Sequence, residues 1–192
     1  MGFKIAIFIS GRGSNMREIV RACFKKKLKS SVELIVSNSN EAPGLYIPEI
    51  KDIDTLILDK NNIDDKSFYS LLNRSLKKKG IELICLAGFM KILKKQFIKK
   101  WKNKIINIHP SLLPAFKGLR PQHNAIQSKV KYSGCTVHYV NEKIDSGIII
   151  DQDIIKVEDD DDEISLSKKI LNKEHKLYIK VIRKLEDSYG KN

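Results

Sequence analysis

The stretch Phe3-Lys4-Ile5-Ala6-Ile7-Phe8-Ile9, followed at once by Ser10-Gly11-Arg12-Gly13-Ser14-Asn15, decides how the chain folds. A continuous β-rich apolar run fits a central strand covered on both faces. The glycine turn ends that run. From Ser14 onward, Ile19, Val20, Cys23, Phe24 and Leu28 recur at helical spacing. Strand, glycine turn and helix in this order open a doubly wound α/β fold.

The same rhythm continues outward. A strand is expected at 32–36, followed by the turn Ser37-Asn38-Ser39-Asn40. Pro43 and Pro48 then leave room for only a short or irregular helix before a strand at 55–58. Asp64 can cap a helix reaching about Lys79, with Phe68, Leu71, Leu72 and Leu76 as its apolar stripe and Gly80 as its stop. Strands at 83–87 and 105–108 flank a short basic helix at 94–102, with Phe97, Ile98 and Trp101 inward. A long connection from Pro110 to about Pro121 leads to a short helix at 122–129. The strand at 135–140 alternates, with Cys135, Val137 and Tyr139 on one side and Thr136, His138 and Val140 on the other. A strand at 148–155 and an acidic turn at 159–163 precede a long final helix packed through Leu166, Ile170, Leu177, Val181 and Leu185. The pattern predicts an α/β protein: a Rossmann-like, mostly parallel central sheet with helices on both faces. A single domain is expected over residues 1–187, phosphate-binding in its first half and catalytic in its second, with 188–192 a frayed tail.

Composition narrows the function classes. Lys plus Arg number 36 against 23 Asp plus Glu, a formal charge of +13. A basic surface attracts RNA, acidic lipids or phosphorylated metabolites and does not choose among them. The lysines are dispersed over 25–27, 77–79, 94–104 and 168–184 without Arg–aromatic interleaving, so no nucleic-acid partner is expected. Cys23, Cys85 and Cys135 lie far apart in apolar stretches, as small buried hydrophobes of a reducing compartment. The start lacks a signal-peptide pattern, and no run of roughly 18 apolar residues spans a bilayer. A cytoplasmic protein with no membrane partner, monomeric or a homodimer, is expected.

The turn at Gly11-Arg12-Gly13-Ser14-Asn15 places unpaired backbone N–H groups at a helix start, where a phosphate can be held. The glycines let the chain approach without a Cβ clash. A dinucleotide fingerprint would need a third glycine where Met16 stands, and an acid after the second strand, where Val36-Ser37-Asn38 supplies none. No Lys follows as in an ATP-type loop. A terminal phosphate on a compact metabolite is the favoured reading. A plain glycine turn and a nucleotide cofactor remain alternatives.

Asn107-Ile108-His109-Pro110 closes a parallel strand, so Asn107 and His109 share a face at the end where open α/β sheets place their sites. Imidazole suits proton shuttling between attacking and leaving amines, and an adjacent amide can donate to a tetrahedral oxyanion. Ile144-Asp145-Ser146-Gly147 is a turn whose carboxylate can hold the imidazole in one tautomer. The alternative is a His109 that caps a strand and an Asp145 that starts a turn. His123 is expected in solvent and His138 as a satisfied structural histidine, with His175 offset from the apolar stripe of the last helix. The histidines lack zinc-motif spacing, and metal-free chemistry is expected.

Ser10 to Asn15, Leu86-Ala87-Gly88-Phe89-Met90-Lys91-Ile92-Leu93, Asn107-Ile108-His109-Pro110-Ser111-Leu112-Leu113-Pro114, Thr136-Val137-His138-Tyr139-Val140, Asp145-Ser146-Gly147 and Glu174-His175 stand in the order found in one family. Through essentially its whole length the chain resembles the phosphoribosylglycinamide formyltransferases, folate-dependent enzymes of purine synthesis. The resemblance implies formyl transfer from 10-formyltetrahydrofolate to glycinamide ribonucleotide, with Asn107, His109 and Asp145 catalytic. It further implies that Gly13, Ser14, Asn15 and Glu174 hold glycinamide ribonucleotide. The reduced folate would lie against Met90, Lys91, Ile92 and Leu93, Asn107, and the loop of Asn141, Glu142, Lys143, Ile144 and Asp145, with Lys66 near its tail. Pro48, the segment Gly118-Leu119-Arg120-Pro121-Gln122-His123, and Ile148 after Gly147 depart from the common pattern. Arg12 and Arg120 are candidates for strengthening substrate attraction.

The relatives that share formyl-folate chemistry are the alternatives. Formyltetrahydrofolate hydrolases usually carry an additional amino-terminal domain, and methionyl-tRNA formyltransferases a carboxy-terminal one. Sugar-amine formyltransferases often use a nucleotide-sugar site, against which the compact Ser14-Asn15 turn speaks. A basic RNA-binding module and a purely structural α/β protein are the readings from other classes.

Overall fold

A computed structural model describes residues 2–59 and 62–189. Strands β1 (Lys4–Ile9), β2 (Ser31–Ser37), β3 (Thr55–Ile57), β4 (Leu83–Leu86), β5 (Ile105–His109), β6 (Tyr132–Tyr139) and β7 (Ile149–Lys156) form one seven-stranded sheet of order β3-β2-β1-β4-β5-β6-β7. The pairs among β1 to β5 are parallel, and β6 and β7 join antiparallel. The chain winds from β1 outward to β2 and β3, then returns to the other side of β1 as β4. This reversal opens a crevice at the carboxyl ends of β1 and β4, where open α/β sheets receive ligands.

Helices α1 (Ser14–Phe24), α2 (Asp65–Lys78), α3 (Lys95–Lys100), α4 (Pro121–Gln127) and α5 (Glu163–Tyr189) complete the fold. Two apolar layers follow from strand alternation. Ile5, Ile7, Cys85, Ile106 and Val137 pack with α1 and α5 on one face. Ala6, Phe8, Ile84, Leu86 and Ile105 pack with α2 and α3 on the other. The two prolines of the 43–50 segment break it into short 3-10 turns, Pro43–Tyr46 and Pro48–Ile50. Asp64 caps α2 by accepting from Lys66 N at 2.8 Å and Ser67 N at 3.0 Å. Helix α5 continues through Tyr189, past the expected start of fraying at 188; residues 190–192 lie outside the described residues.

Two helical stripes read too widely from spacing. Phe24 is 64% exposed because α1 ends there, and Leu71 is 39% exposed because it lies at the margin of the buried face set by Phe68, Leu72 and Leu76. Periodicity locates a face, while the neighbouring layer sets its width.

Candidate functional site

Asn107 and His109 continue the face of β5 that begins with Ile105. Antiparallel pairing sets His138 opposite Asn107 and Thr136 opposite His109. All four side chains therefore share one face at the end of β5. His109 and His138 are buried, and Asn107 is half-buried.

The His109 ring faces an acceptor at each nitrogen. Nδ1 lies 3.3 Å from Asp145 Oδ2, and Nε2 lies 2.9 Å from the Phe116 carbonyl. A ring carrying a proton on each nitrogen satisfies both acceptors. Asp145 arrives on the loop between β6 and β7 with a positive φ of 45°, which turns its carboxylate back toward the sheet. Its Oδ2 also accepts from Gly118 N at 2.9 Å, and its Oδ1 stands 3.7 Å from His138 Nε2. Burial alone would raise this carboxyl. The Gly118 N–H and the charge that His109 can carry act against burial, and the group lies below the ordinary Asp range. The expected meeting of His109 with Asp145 is thus present in the structure.

The segment after His109 is fastened by residues that sequence reasoning passed over. Thr136 Oγ1 donates to Ser111 O at 2.7 Å and accepts from Leu113 N at 3.0 Å. Gln152 Nε2 donates to Leu113 O at 3.0 Å and to Thr136 Oγ1 at 2.8 Å. Ser111 Oγ donates to Ala115 O at 2.6 Å. These bonds fix the turn that brings the Phe116 carbonyl to His109 and the Gly118 N–H to Asp145. Thr136 stood out in the sequence only by its place beside His138 in an alternating strand and within a segment that resembles one family.

His138 is satisfied, as expected of a structural histidine, with Nδ1 2.9 Å from Tyr139 O and Nε2 3.3 Å from Asn107 Nδ2, and the second of these contacts also places it beside the site. His123 is partly buried and lies 3.1 Å from Glu163, not free in solvent, because the α5 start packs beside α4. Arg120 reaches the same carboxylate at 3.2 Å. His175 keeps Nε2 without a hydrogen-bond partner, and burial lowers its affinity for a proton. Burial pushes the Cys23 and Cys135 thiols up to about 12, which leaves them poor nucleophiles.

On the other side of the crevice, Gly13 caps α1 with φ of 69°, and a Cβ there would stand 2.8 Å from Met16 and 3.1 Å from Gly44. Glycine is required by both conformation and space. Ser14 opens α1. The Asn15 side chain donates through Nδ2 to Glu174 Oε2 at 2.8 Å, while its Oδ1 is buried without a partner. Burial raises the Glu174 carboxyl to about 7, only partly offset by that bond. An orphaned amide oxygen beside a buried carboxyl is suited to a ligand that brings hydrogen-bond donors.

The loop after β4 borders the same crevice. Ser10 Oγ accepts from Met90 N at 2.8 Å and donates to Asn38 Oδ1 at 2.5 Å. Tyr69 OH accepts from Lys94 N at 2.8 Å. Lys91 and Lys94 meet Asp65 at 2.7 and 2.8 Å and hold its carboxyl down to about 2. Met90 and Ile92 stay 67% and 71% exposed, which suits a flat apolar ligand, whereas Leu93 is buried in the core. Lys66 is exposed in the first turn of α2, beside Asp65. In the Asp145 loop, Glu142 pairs with Lys95 at 2.7 Å, and Asn141 braces the turn by donating to Ser146 O at 2.9 Å and accepting from Lys143 N at 2.9 Å. Ile144 is 56% exposed. Among the described residues no group of three or more His, Cys, Asp or Glu is arranged to hold a metal ion, and no helix is long and apolar enough to cross a membrane.

Fold and cleft together define a doubly wound α/β protein with an amide, an imidazole and a carboxylate converging beside a glycine turn. The chain belongs to the formyl transferase family, whose model matches residues 3–182. It is 39% identical over 176 residues to the trifunctional purine biosynthetic protein adenosine-3 of Gallus gallus, a match covering 91% of this chain and 18% of that protein. The chloroplastic phosphoribosylglycinamide formyltransferase of Arabidopsis thaliana is 34% identical over 186 residues, covering 93% of this chain and 64% of that one. The chain therefore spans less than a fifth of the trifunctional relative and just under two thirds of the plant one. Among solved structures, glycinamide ribonucleotide transformylase 1 from Symbiobacterium toebii superposes with a TM-score of 0.92 at 34% identity, covering 97% of this chain and 89% of that chain.

Proposed function

We propose that the protein transfers the formyl group of 10-formyltetrahydrofolate to the amine of glycinamide ribonucleotide, giving formylglycinamide ribonucleotide and tetrahydrofolate in purine synthesis. The observation that carries this reading is the convergence of Asn107, His109 and Asp145, with His109 Nδ1 3.3 Å from the carboxylate, at the edge of a crevice bordered by Gly13, Ser14 and Asn15. Relatives and a solved structure named for the same reaction support it. The phosphate is held at the start of α1, and Glu174 with Asn15 contacts the remainder of the ribonucleotide. The reduced folate lies along Met90 to Ile92 and the Asn141 to Asp145 loop, with Lys66 toward its tail. Unpaired thiols fit a reducing compartment such as the cytoplasm.

In the reaction the amine attacks the formyl carbon. Asn107 Nδ2 donates to the oxygen that becomes negative, the positive charge of the protonated His109 ring stabilises it from nearby, and Asp145 sustains that charge. A proton passes from the attacking nitrogen to the folate nitrogen, whose bond to the formyl carbon then breaks. Holding donor and acceptor in one cleft supplies much of the acceleration.

The test is turnover of glycinamide ribonucleotide by purified protein with and without 10-formyltetrahydrofolate. Formylation only with the folate supports the reading. Hydrolysis of the folate without an amine acceptor refutes it in favour of a hydrolase. His109→Ala is expected to lower kcat by about 10³-fold or more while circular dichroism stays unchanged. Near-normal turnover in that variant would remove His109 from the mechanism.

A further inference from the structure

His138 is one of the most deeply enclosed polar side chains of the cleft, at 2% exposure, and the mechanism above gives it no task. Its ring is held by its own strand. Nδ1 lies 2.9 Å from the Tyr139 carbonyl, an acceptor that demands a proton on Nδ1. In a neutral ring the proton on Nδ1 leaves Nε2 bare, and that nitrogen faces Asn107 Nδ2 at 3.3 Å. Asp145 Oδ1, the other polar group beside Nε2, is at 3.7 Å, beyond hydrogen-bond range. His109 faces Asp145 through the opposite oxygen, so the carboxylate is already engaged by the first imidazole and by Gly118.

An asparagine amide can sit in two orientations that differ by exchange of its oxygen and nitrogen. Only one of them presents N–H groups to a developing oxyanion. We propose that His138 is a positioning residue: held neutral with its proton on Nδ1, it accepts one hydrogen of Asn107 Nδ2 and so locks the amide with its second hydrogen directed at the formyl oxygen. A ring protonated on both nitrogens would set donor against donor at Nε2 and would turn the amide over, presenting its carbonyl to the oxyanion. The lock is built from strand pairing, which places His138 across from Asn107, and from the ring's bond to the carbonyl of the next residue, Tyr139.

The inference rests on the formyl-transfer reading for its consequence and on geometry alone for the lock, and the two are tested separately. Histidine tautomers are read from ¹H–¹⁵N correlations in the ligand-free protein at neutral pH. A His138 protonated on Nδ1 and bare on Nε2 supports the lock, and a proton on Nε2 overturns it whatever the enzyme turns over. For the consequence, two polar variants are compared: His138→Gln places a polar atom near the Nε2 position, and His138→Asn places one near Nδ1. His138→Gln is expected to keep kcat within about threefold. His138→Asn, which leaves Asn107 unlocked, is expected to lower kcat by about 10- to 100-fold with both KM values little changed. Equal loss in the two variants, or loss in neither, would overturn the assignment. In an Asn107→Ala background His138→Asn is expected to cause no further loss, because a residue acting through Asn107 has nothing left to orient. Multiplicative losses there would show that His138 acts through Asp145 or the fold instead.

Discussion

Glu174 shows how the burial of one carboxyl ties stability to pH. Its carboxyl is raised to about 7 from an ordinary value of 4.5 by burial, with one bond from Asn15 as partial relief. Between those two values the folded chain retains a proton that the unfolded chain has released. Stability therefore falls as pH rises through that window, and the cost levels off above it, at an order of magnitude of about 3 kcal/mol. Glu174→Gln removes the ionisable group and offers a donor to the orphaned Asn15 Oδ1. The variant is expected to match the wild type in urea denaturation at pH 5 and to exceed it by about 2–3 kcal/mol at pH 8. A Gln variant that is less stable at pH 8 would mean that the carboxylate is charged and satisfied in the folded state. Glu174-His175 stood out in the sequence only by resemblance to a family. Burial of an acid against an amide 159 residues away in the chain has no local signature.

At the scale of elements, the positions that were legible are those fixed by local chemistry: the Gly13 turn, the Asp64 cap, the proline-broken 43–50 segment and the strand rhythm. The long-range register was not. Thr136 and His138 were correctly placed on one side of an alternating strand, yet which strand that side would face depends on pairing between β5 and β6, and a one-residue slip reverses it. The same limit applies to Ser10, read only as part of the glycine turn and of the family segment that opens there. Its hydroxyl joins the ends of β1 and β2 to the loop after β4, accepting from Met90 N and donating to Asn38. Ser10→Ala leaves the Met90 N–H and the Asn38 oxygen to water, and frees the end of the loop that presents Met90 and Ile92. The expected outcome is a rise of about 5- to 20-fold in the KM for the folate, equivalent to about 1–2 kcal/mol for a lost hydrogen-bonded tie, with kcat within about threefold. An unchanged folate KM would show that Tyr69 and Lys91 hold the loop without help.

The whole molecule carries a formal charge of +13, and it is distributed in two ways. Many cations are spent on exposed ion pairs such as Lys131 with Asp159 and Lys156 with Glu158, whose contribution to stability is small and screened by salt. The remainder gives the surface a positive field that attracts anionic groups from a distance. Arg12 is the exposed cation of the glycine turn, while Arg120, equally basic in sequence, is bound to Glu163. The two arginines are therefore expected to behave differently. Raising ionic strength from about 50 mM to about 300 mM shortens the screening length and should raise the KM for the phosphorylated substrate while leaving kcat nearly constant. Arg12→Gln should flatten that dependence, and Arg120→Gln should leave it as steep as in the wild type. If both variants kept the wild-type slope, attraction would belong to the dispersed lysines collectively, and the glycine turn would contribute contact without steering.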